Sequence, residues 1–148
     1  SQTIGLVTQL DEIQAAILRV KLKFLDKHNK MRKGLAEYYI NHLANLPIKM
    51  QQDKINVEHA YLNFVIITSK RDQLQDYLTR KRIGTQIHYP IPLHLQPSLK
   101  YLMFKKGDFP NSEKASTEVL SLPIYPYLTL EEVKLICDKI NDFYQLKL

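Results

Sequence analysis

Two histidines and a tyrosine lie in a stretch, residues 87–97 (IHYPIPLHLQP), that is too rich in proline for an ordinary helix or strand. Imidazole and phenol groups form hydrogen bonds near neutral pH, and a proline-stiffened backbone lowers the entropic cost of aiming them at a polar ligand. His88, Tyr89 and His94 are therefore candidate binding residues. The same composition also suits a rigid connection whose histidines cap local backbone groups, and both interpretations stay open.

Other reactive chemistry is poorly represented. His88 and His94 match no familiar metal spacing, and no cysteine or paired carboxylate lies beside them, so we expect no metal site. Cys137 falls on the apolar stripe of a helical pattern and is expected to be a buried packing residue rather than a nucleophile. The sequence contains no nucleophile elbow, phosphate-binding glycine loop or HExxH motif.

Composition indicates one globular domain. The chain has 148 residues, of which 45% are hydrophobic and 24% charged, and no apolar run approaches the roughly 20 residues that cross a bilayer. With no leader pattern and a single cysteine, we expect a cytoplasmic protein. The net charge of +6 would suit an anion, but the basic residues lie mainly on helical patterns and no nucleic-acid motif accompanies them. Neither a nucleic acid nor a membrane is an expected partner.

A long helix is predicted from Leu10 to about Asn45. Apolar residues recur at helical spacing, and Gly34 is its weakest interior position. The apolar stripe comprises Leu10, Ile13, Ile17, Val20 and Phe24, with Leu18, Leu22 and Leu25 beside it. At 1.5 Å per residue this helix would extend for roughly 50 Å, which is longer than a small domain. We expect it to lie against a second domain or a partner subunit.

The remaining pattern mixes strands and helices. Residues 60–68 are rich in aromatic and β-branched types and predict a central strand, and a helix with Ser69 as N-cap should follow. Residues 84–89 predict a second strand, and residues 97–106 a short helix. The fold class is α/β (α+β), with a small, mostly antiparallel sheet covered on one side by helices.

The last helix has the clearest start signal. Thr129 and Glu132 form a T-x-x-E capping box, and Leu128 and Val133 are spaced for a hydrophobic staple. The apolar residues that follow recur at helical spacing to Tyr144. The preceding segment, residues 107–128, is mixed and interrupted by prolines.

Several strings together resemble one family. They are LDEIQAAIL, KLKFLDKHNKMRKGLAEYY, HAYLNFVI, IGTQIHYPIPLHLQP, GDFPNSEKASTEVLSLPIYPYLTLEEV and INDF. In this order, from Gly5 to Phe143, they resemble the C-terminal part of the DegT family. Members of this family are pyridoxal-phosphate-dependent aminotransferases that act on nucleotide-linked keto-sugars.

The resemblance implies a homodimer of the aspartate-aminotransferase fold. Residues 1–46 would form the linking helix of the small C-terminal domain, and residues 47–148 its body. His88, Tyr89 and His94 would lie on the sugar-nucleotide side of the cleft, with glutamate as amino donor. The cofactor domain with the Schiff-base lysine lies outside the matched part. We therefore expect pyridoxal phosphate in the parent enzyme, but none bound to this chain alone and no transamination by it.

Two positions depart from the family pattern. The family usually reads G-x-N-x-R here, and its asparagine reaches the cofactor phosphate of the neighbouring subunit. Val7 stands at the asparagine position and Gln9 at the arginine position. Valine cannot donate to a phosphate, and glutamine lacks the charge of arginine. These departures favour an alternative in which the chain is a non-catalytic, degenerate domain that serves oligomerisation or ligand binding.

Overall fold

The structure, a computed structural model, describes residues 10–51 and 56–145. Its helices are α1 (Glu12–Leu22), α2 (Leu25–Leu43), α3 (Arg71–Arg80), α4 (Pro110–Glu118) and α5 (Leu130–Gln145). Its strands are β1 (Lys49–Met50), β2 (Phe64–Ile67) and β3 (Val119–Leu122). Short 3₁₀ turns cover Leu93–Leu95 and Pro97–Leu102.

The three strands form one antiparallel sheet in the order β1-β2-β3. Phe64 pairs with Leu122 and Ile66 with Leu120, so the side chains of these residues point to the same face. All four are buried, which confirms the prediction of a small antiparallel sheet with β2 at its centre.

The helices cover this apolar face. Tyr39 of α2 stacks on Phe64 of β2 with ring centroids 4.8 Å apart, and both side chains are fully buried. The rest of the core is drawn from α2, α3, the strands, α5 and the segments that connect them: Leu35, Ala36, Leu43, Tyr61, Ile66, Leu74, Leu78, Ile83, Leu120, Leu122, Leu128, Val133, Ile136, Cys137, Ile140 and Phe143. The second half of α2 is thus part of the domain body.

The predicted continuous helix from Leu10 to Asn45 is wrong at one point. The chain leaves helical geometry at Phe24, whose φ and ψ are −110° and 0°, and it divides into α1 and α2. The ring of Phe24 stacks on His28 at 6.1 Å, and His28 in turn contacts Tyr127. Gly34, the expected weak point, lies inside α2 on an exposed face, while the next two residues, Leu35 and Ala36, are buried in the core.

Strand assignments also differ from the sequence prediction. The predicted strand at residues 84–89 is reduced to one bridge, between Gln86 and Ser121. Its partner β3 comes from the proline-interrupted segment, which was not predicted to contain a strand. The N-cap of α3 is Lys70 rather than Ser69, and the Thr68 hydroxyl accepts the Lys70 N–H at 3.2 Å.

The closing helix forms as predicted. The Thr129 N–H donates to the Glu132 carboxylate at 2.8 Å, and the Glu132 N–H donates to the Thr129 hydroxyl at 3.2 Å. Leu128 and Val133 are both buried beside this cap. Cys137 lies inside the core, where burial raises the pKa of its thiol to about 12. A thiol in this state is a packing group and not a nucleophile.

A buried arginine joins α3 to the end of α4. Nη1 of Arg71 donates to the carbonyls of Ser116 at 3.1 Å and Val119 at 3.4 Å, and Nε pairs with the Asp72 carboxylate. The guanidinium charge lies beside carbonyls at the C-terminal end of α4, where carbonyls have no N–H donor within the helix. Arg71 therefore fixes the junction from which β3 begins.

The hydroxyl of Tyr39 ties α2 to the segment after β3. It donates to the Pro123 carbonyl at 3.0 Å, and burial raises its pKa. Tyr39→Phe should lower the free energy of unfolding by about 1 kcal/mol, because the carbonyl loses a donor inside the core. Tyr101→Phe removes the same atom from a side chain that is 74% exposed and serves as the matched control. Equal stability of the two variants in urea unfolding would contradict this assignment.

Candidate functional site

The proline-rich loop forms one wall of an open groove. Residues of α4 line its other side, together with Val119, the first residue of β3. The groove encloses about 230 Å³ and is lined by His88, Tyr89, Ile91, Pro92, Leu93, Ser112, Ala115, Ser116 and Val119. Mostly apolar walls with a few hydrogen-bonding groups are typical of ligand sites.

His88 lines this groove and contacts β3. Its Nδ1 lies 3.0 Å from the hydroxyl of Ser121. The backbones of Gln86 and Ser121 exchange two hydrogen bonds, of 3.1 and 2.8 Å, so the approach to His88 is also fixed. His88 lines a second cavity of about 340 Å³ as well, which lies on the side of Asn63 and Tyr125. His88 therefore lines both the groove and this cavity.

Tyr89 projects from the loop into solvent. Its side chain is 69% exposed, and its ring meets the His88 ring edge-on with centroids 5.8 Å apart. The peptide bond that joins the two residues is cis. Because the ring is so exposed, the phenol can reach a bound molecule without breaking any packing in the core.

His94 has a different environment from the other two candidates. Its side chain is only 7% exposed, and its Nε2 lies 3.0 Å from Oε1 of Glu113 on α4. The ring also packs on Phe109 with centroids 4.8 Å apart. His94 is not among the groove-lining residues. The structure thus brings His88 and Tyr89 together and gives His94 a partner within the domain.

The Glu113 carboxylate is stabilised in its charged form. The backbone N–H of Gly107 donates to the same Oε1 at 2.7 Å and contributes most to lowering the pKa, with further contributions from His94 and the Phe109 backbone. Partial burial opposes this effect but does not outweigh it. Glu113 is therefore a firm hydrogen-bond acceptor for the loop.

Neither groove fits a pyridoxal phosphate molecule without further residues. The residues that line the two openings fall within the described ranges 62–63, 84–93, 112–116 and 119–125. None of these lining residues is a lysine that could form an imine or an arginine that could bind a phosphate. In residues 10–51 and 56–145, moreover, no three His, Cys, Asp or Glu side chains are grouped as metal ligands. The groups present can position a polar molecule by hydrogen bonds. No lining residue offers a lysine amine for an imine.

Other sequence predictions bear on this site less directly. Val7 and Gln9 lie outside the described residues. Within the described part of the chain, no helix is long and apolar enough to cross a membrane.

Ser121 and Glu113, the partners of His88 and His94, were not predicted as site residues because each contact joins positions far apart in sequence.

Comparison with known proteins gives consistent matches along the chain. The profile described as the DegT/DnrJ/EryC1/StrS aminotransferase family matches residues 1–141. A dTDP-3-amino-3,6-dideoxy-alpha-D-galactopyranose transaminase from Aneurinibacillus thermoaerophilus is 39% identical over 139 residues, which are 94% of this chain and 38% of that enzyme. A UDP-2-acetamido-2-deoxy-3-oxo-D-glucuronate aminotransferase from Pseudomonas aeruginosa is 33% identical, over 94% of this chain and 38% of its own length.

A solved structure supports the same relationship. DesV from S. venezuelae, in complex with a ketimine intermediate, superposes with a TM-score of 0.91 at 34% identity. The match covers 97% of this chain and 39% of DesV. The chain therefore spans a little over a third of the length of the relatives that it matches.

Proposed function

Because the chain belongs to the DegT/DnrJ/EryC1/StrS aminotransferase family, we propose that it is the small, C-terminal domain of a nucleotide-sugar aminotransferase. In this proposal residues 1–46 link the domain to a cofactor domain, and residues 47–148 form its body together with the second half of α2. The substrate is a keto-sugar attached to dTDP or UDP, and the product is the corresponding amino-sugar. The observation that carries the proposal is the match of nearly the whole chain to transaminases of both nucleotide classes.

The groove supports a substrate-binding role for the loop. His88 is oriented by Ser121 and lines both cavities. The exposed Tyr89 phenol can donate to or accept from a hydroxyl or phosphate oxygen. We assign substrate contacts to His88 and Tyr89, and for His94 we replace the predicted direct contact with a role in holding the loop.

The cofactor belongs to another part of the proposed enzyme. Pyridoxal phosphate would supply the electron sink for amino transfer, with glutamate as donor. The groove described here contains no lysine among its lining residues, so the imine-forming amine has to come from elsewhere. This domain would bind and orient the sugar nucleotide and exclude water around it.

A second function rests on Val7 and Gln9. If these replacements abolish cofactor binding in the assembled protein, the domain serves oligomerisation or ligand binding without catalysis. The two functions differ in one measurable property, which is amino transfer.

The test is an assay of the protein that contains this chain, supplied with pyridoxal phosphate, glutamate and dTDP- or UDP-linked keto-sugars. We expect mass spectrometry to detect the amino-sugar nucleotide with at least one of the two nucleotide classes. A protein that folds and dimerises but forms no amino-sugar with either class would support the non-catalytic alternative.

Tyr89→Phe tests the assigned substrate contact in the same assay. Loss of one hydrogen bond should raise KM about two- to tenfold, because such a bond contributes roughly 0.5–1.5 kcal/mol. The melting temperature should not change, since the side chain is exposed. Tyr101→Phe, also exposed and outside the groove lining, is the control. Equal KM values for the two variants would remove Tyr89 from the site.

The proposed enzyme is a homodimer, and α1 supports this part of the proposal. No residue of α1 is buried, although its surface carries several large apolar side chains. The exposed ones are Ile13, Ile17, Leu18, Val20 and Leu22. A continuous apolar surface of this kind is usually covered in the assembled protein.

Ile17→Gln should weaken the association of two copies, whereas Arg19→Gln on the same helix should not. Both variants place the same residue on α1, but only the first removes apolar contact area. Sedimentation equilibrium should show a dimer for the unsubstituted chain and for Arg19→Gln. For Ile17→Gln, the dissociation constant of the dimer should be higher by about tenfold or more. If the unsubstituted chain is only monomeric at high concentration, this role for α1 is wrong.

A further inference from the structure

A single carboxylate oxygen joins three segments of the domain. Oε1 of Glu113, in the first turn of α4, accepts the Gly107 N–H at 2.7 Å and the His94 ring N–H at 3.0 Å. The ionised carboxylate has no hydrogen to donate, so Nε2 of His94 must carry the proton. Gly107 has a φ of +101°, a left-handed conformation that glycine adopts without steric cost. The turn before α4 and the proline-rich loop therefore meet at one atom.

Aromatic rings shield this meeting point from water. Phe109 packs on the His94 ring, and Phe104 meets Phe109 edge-on with centroids 5.1 Å apart. The His94 side chain is 7% exposed and that of Glu113 is 17% exposed. Hydrogen bonds to a charged acceptor strengthen when solvent is partly excluded.

The position of this contact along the loop is significant. His88 is held by Ser121 at one end of the loop, and His94 is held by Glu113 at the other. Tyr89 lies between the two anchors, and Pro90 and Pro92 restrict the backbone there. A stiff segment held at both ends keeps one orientation, whereas release of one end frees the whole segment.

We propose that Glu113 is a positioning residue for the substrate groove: by holding His94 and Gly107 through one oxygen, it fixes the loop that presents His88 and Tyr89. The contribution of this anchor to substrate binding rests on the function proposed above. Its contribution to loop order does not. Glu113 acts through His94 and needs no contact with the substrate.

Amide hydrogen exchange of the folded chain tests the anchor directly. The N–H groups of Leu95 and Gln96 are hydrogen-bonded within the loop, to Pro92 and Leu93, so their exchange reports its opening. Glu113→Ala should accelerate exchange of these amides and of Gly107 about tenfold, and should leave the amides of α5 unchanged. Glu113→Gln, which keeps an oxygen acceptor, should restore most of the protection.

His94→Phe supplies a second measurement that does not depend on the folding of the Glu113 variants. Phenylalanine keeps a ring against Phe109 but has no N–H. Exchange should rise at Leu95 and Gln96 but not at Gly107, which remains bonded to Glu113. Glu37→Gln, on an exposed face of α2, controls for the loss of one negative charge. Unchanged exchange at Leu95 and Gln96 in both Glu113→Ala and His94→Phe, or an equal rise across the domain including α5, would overturn the proposal.

The enzymatic consequence is measured separately in the protein that contains this chain. Glu113→Ala should raise KM for the nucleotide-sugar about fivefold or more and change kcat less, because the variant disturbs the binding wall and not the reacting atoms. Accelerated loop exchange with an unchanged KM would confirm the anchor and refute the loop as substrate wall. That result would count against the proposed function alone.

Discussion

The pairing of β3 with its neighbours is the constraint on which the groove depends. Ser121 pairs with Val65 of β2 on one side and with Gln86 on the other, and its hydroxyl also meets the ring of His88. One strand residue thus connects the core sheet to the start of the loop. Arg71 fixes where β3 begins, since it binds the carbonyls at the end of α4. Displacement of β3 would move Val119, which lines the groove, together with His88.

The first two helices differ in burial: α2 packs into the core, whereas α1 is exposed. The half of α2 after Gly34 contributes Tyr39 and Leu43 to the core and packs beside α5. Helix α1, by contrast, buries no residue in this chain. Burial of apolar surface is the main stabilising contribution to folding, so α1 gains stability only when another surface covers it. This asymmetry is consistent with the linking role proposed for α1.

Rigidity of the binding wall comes from outside the loop as much as from its prolines. Proline limits φ but does not decide where the segment points. Direction comes from the two anchors, Ser121 at His88 and Glu113 at His94. A preorganised wall loses little conformational entropy when a ligand binds. In the proposed function, this domain would orient a polar substrate, and the reacting groups would come from another part of the enzyme.

Local signals in the sequence determined the elements that depend on local physics. The T-x-x-E box of Thr129 and Glu132 started α5 as predicted, since a cap involves neighbouring residues only, and the family strings correctly identified the family. The tertiary structure alone decided the features that join distant positions. It broke the long helix at Phe24, made a strand beside prolines at β3, and paired His94 with Glu113. The strand β3 and the pair of His94 with Glu113 each depend on a partner that is remote in sequence, and residue spacing along a chain carries no information about such a partner.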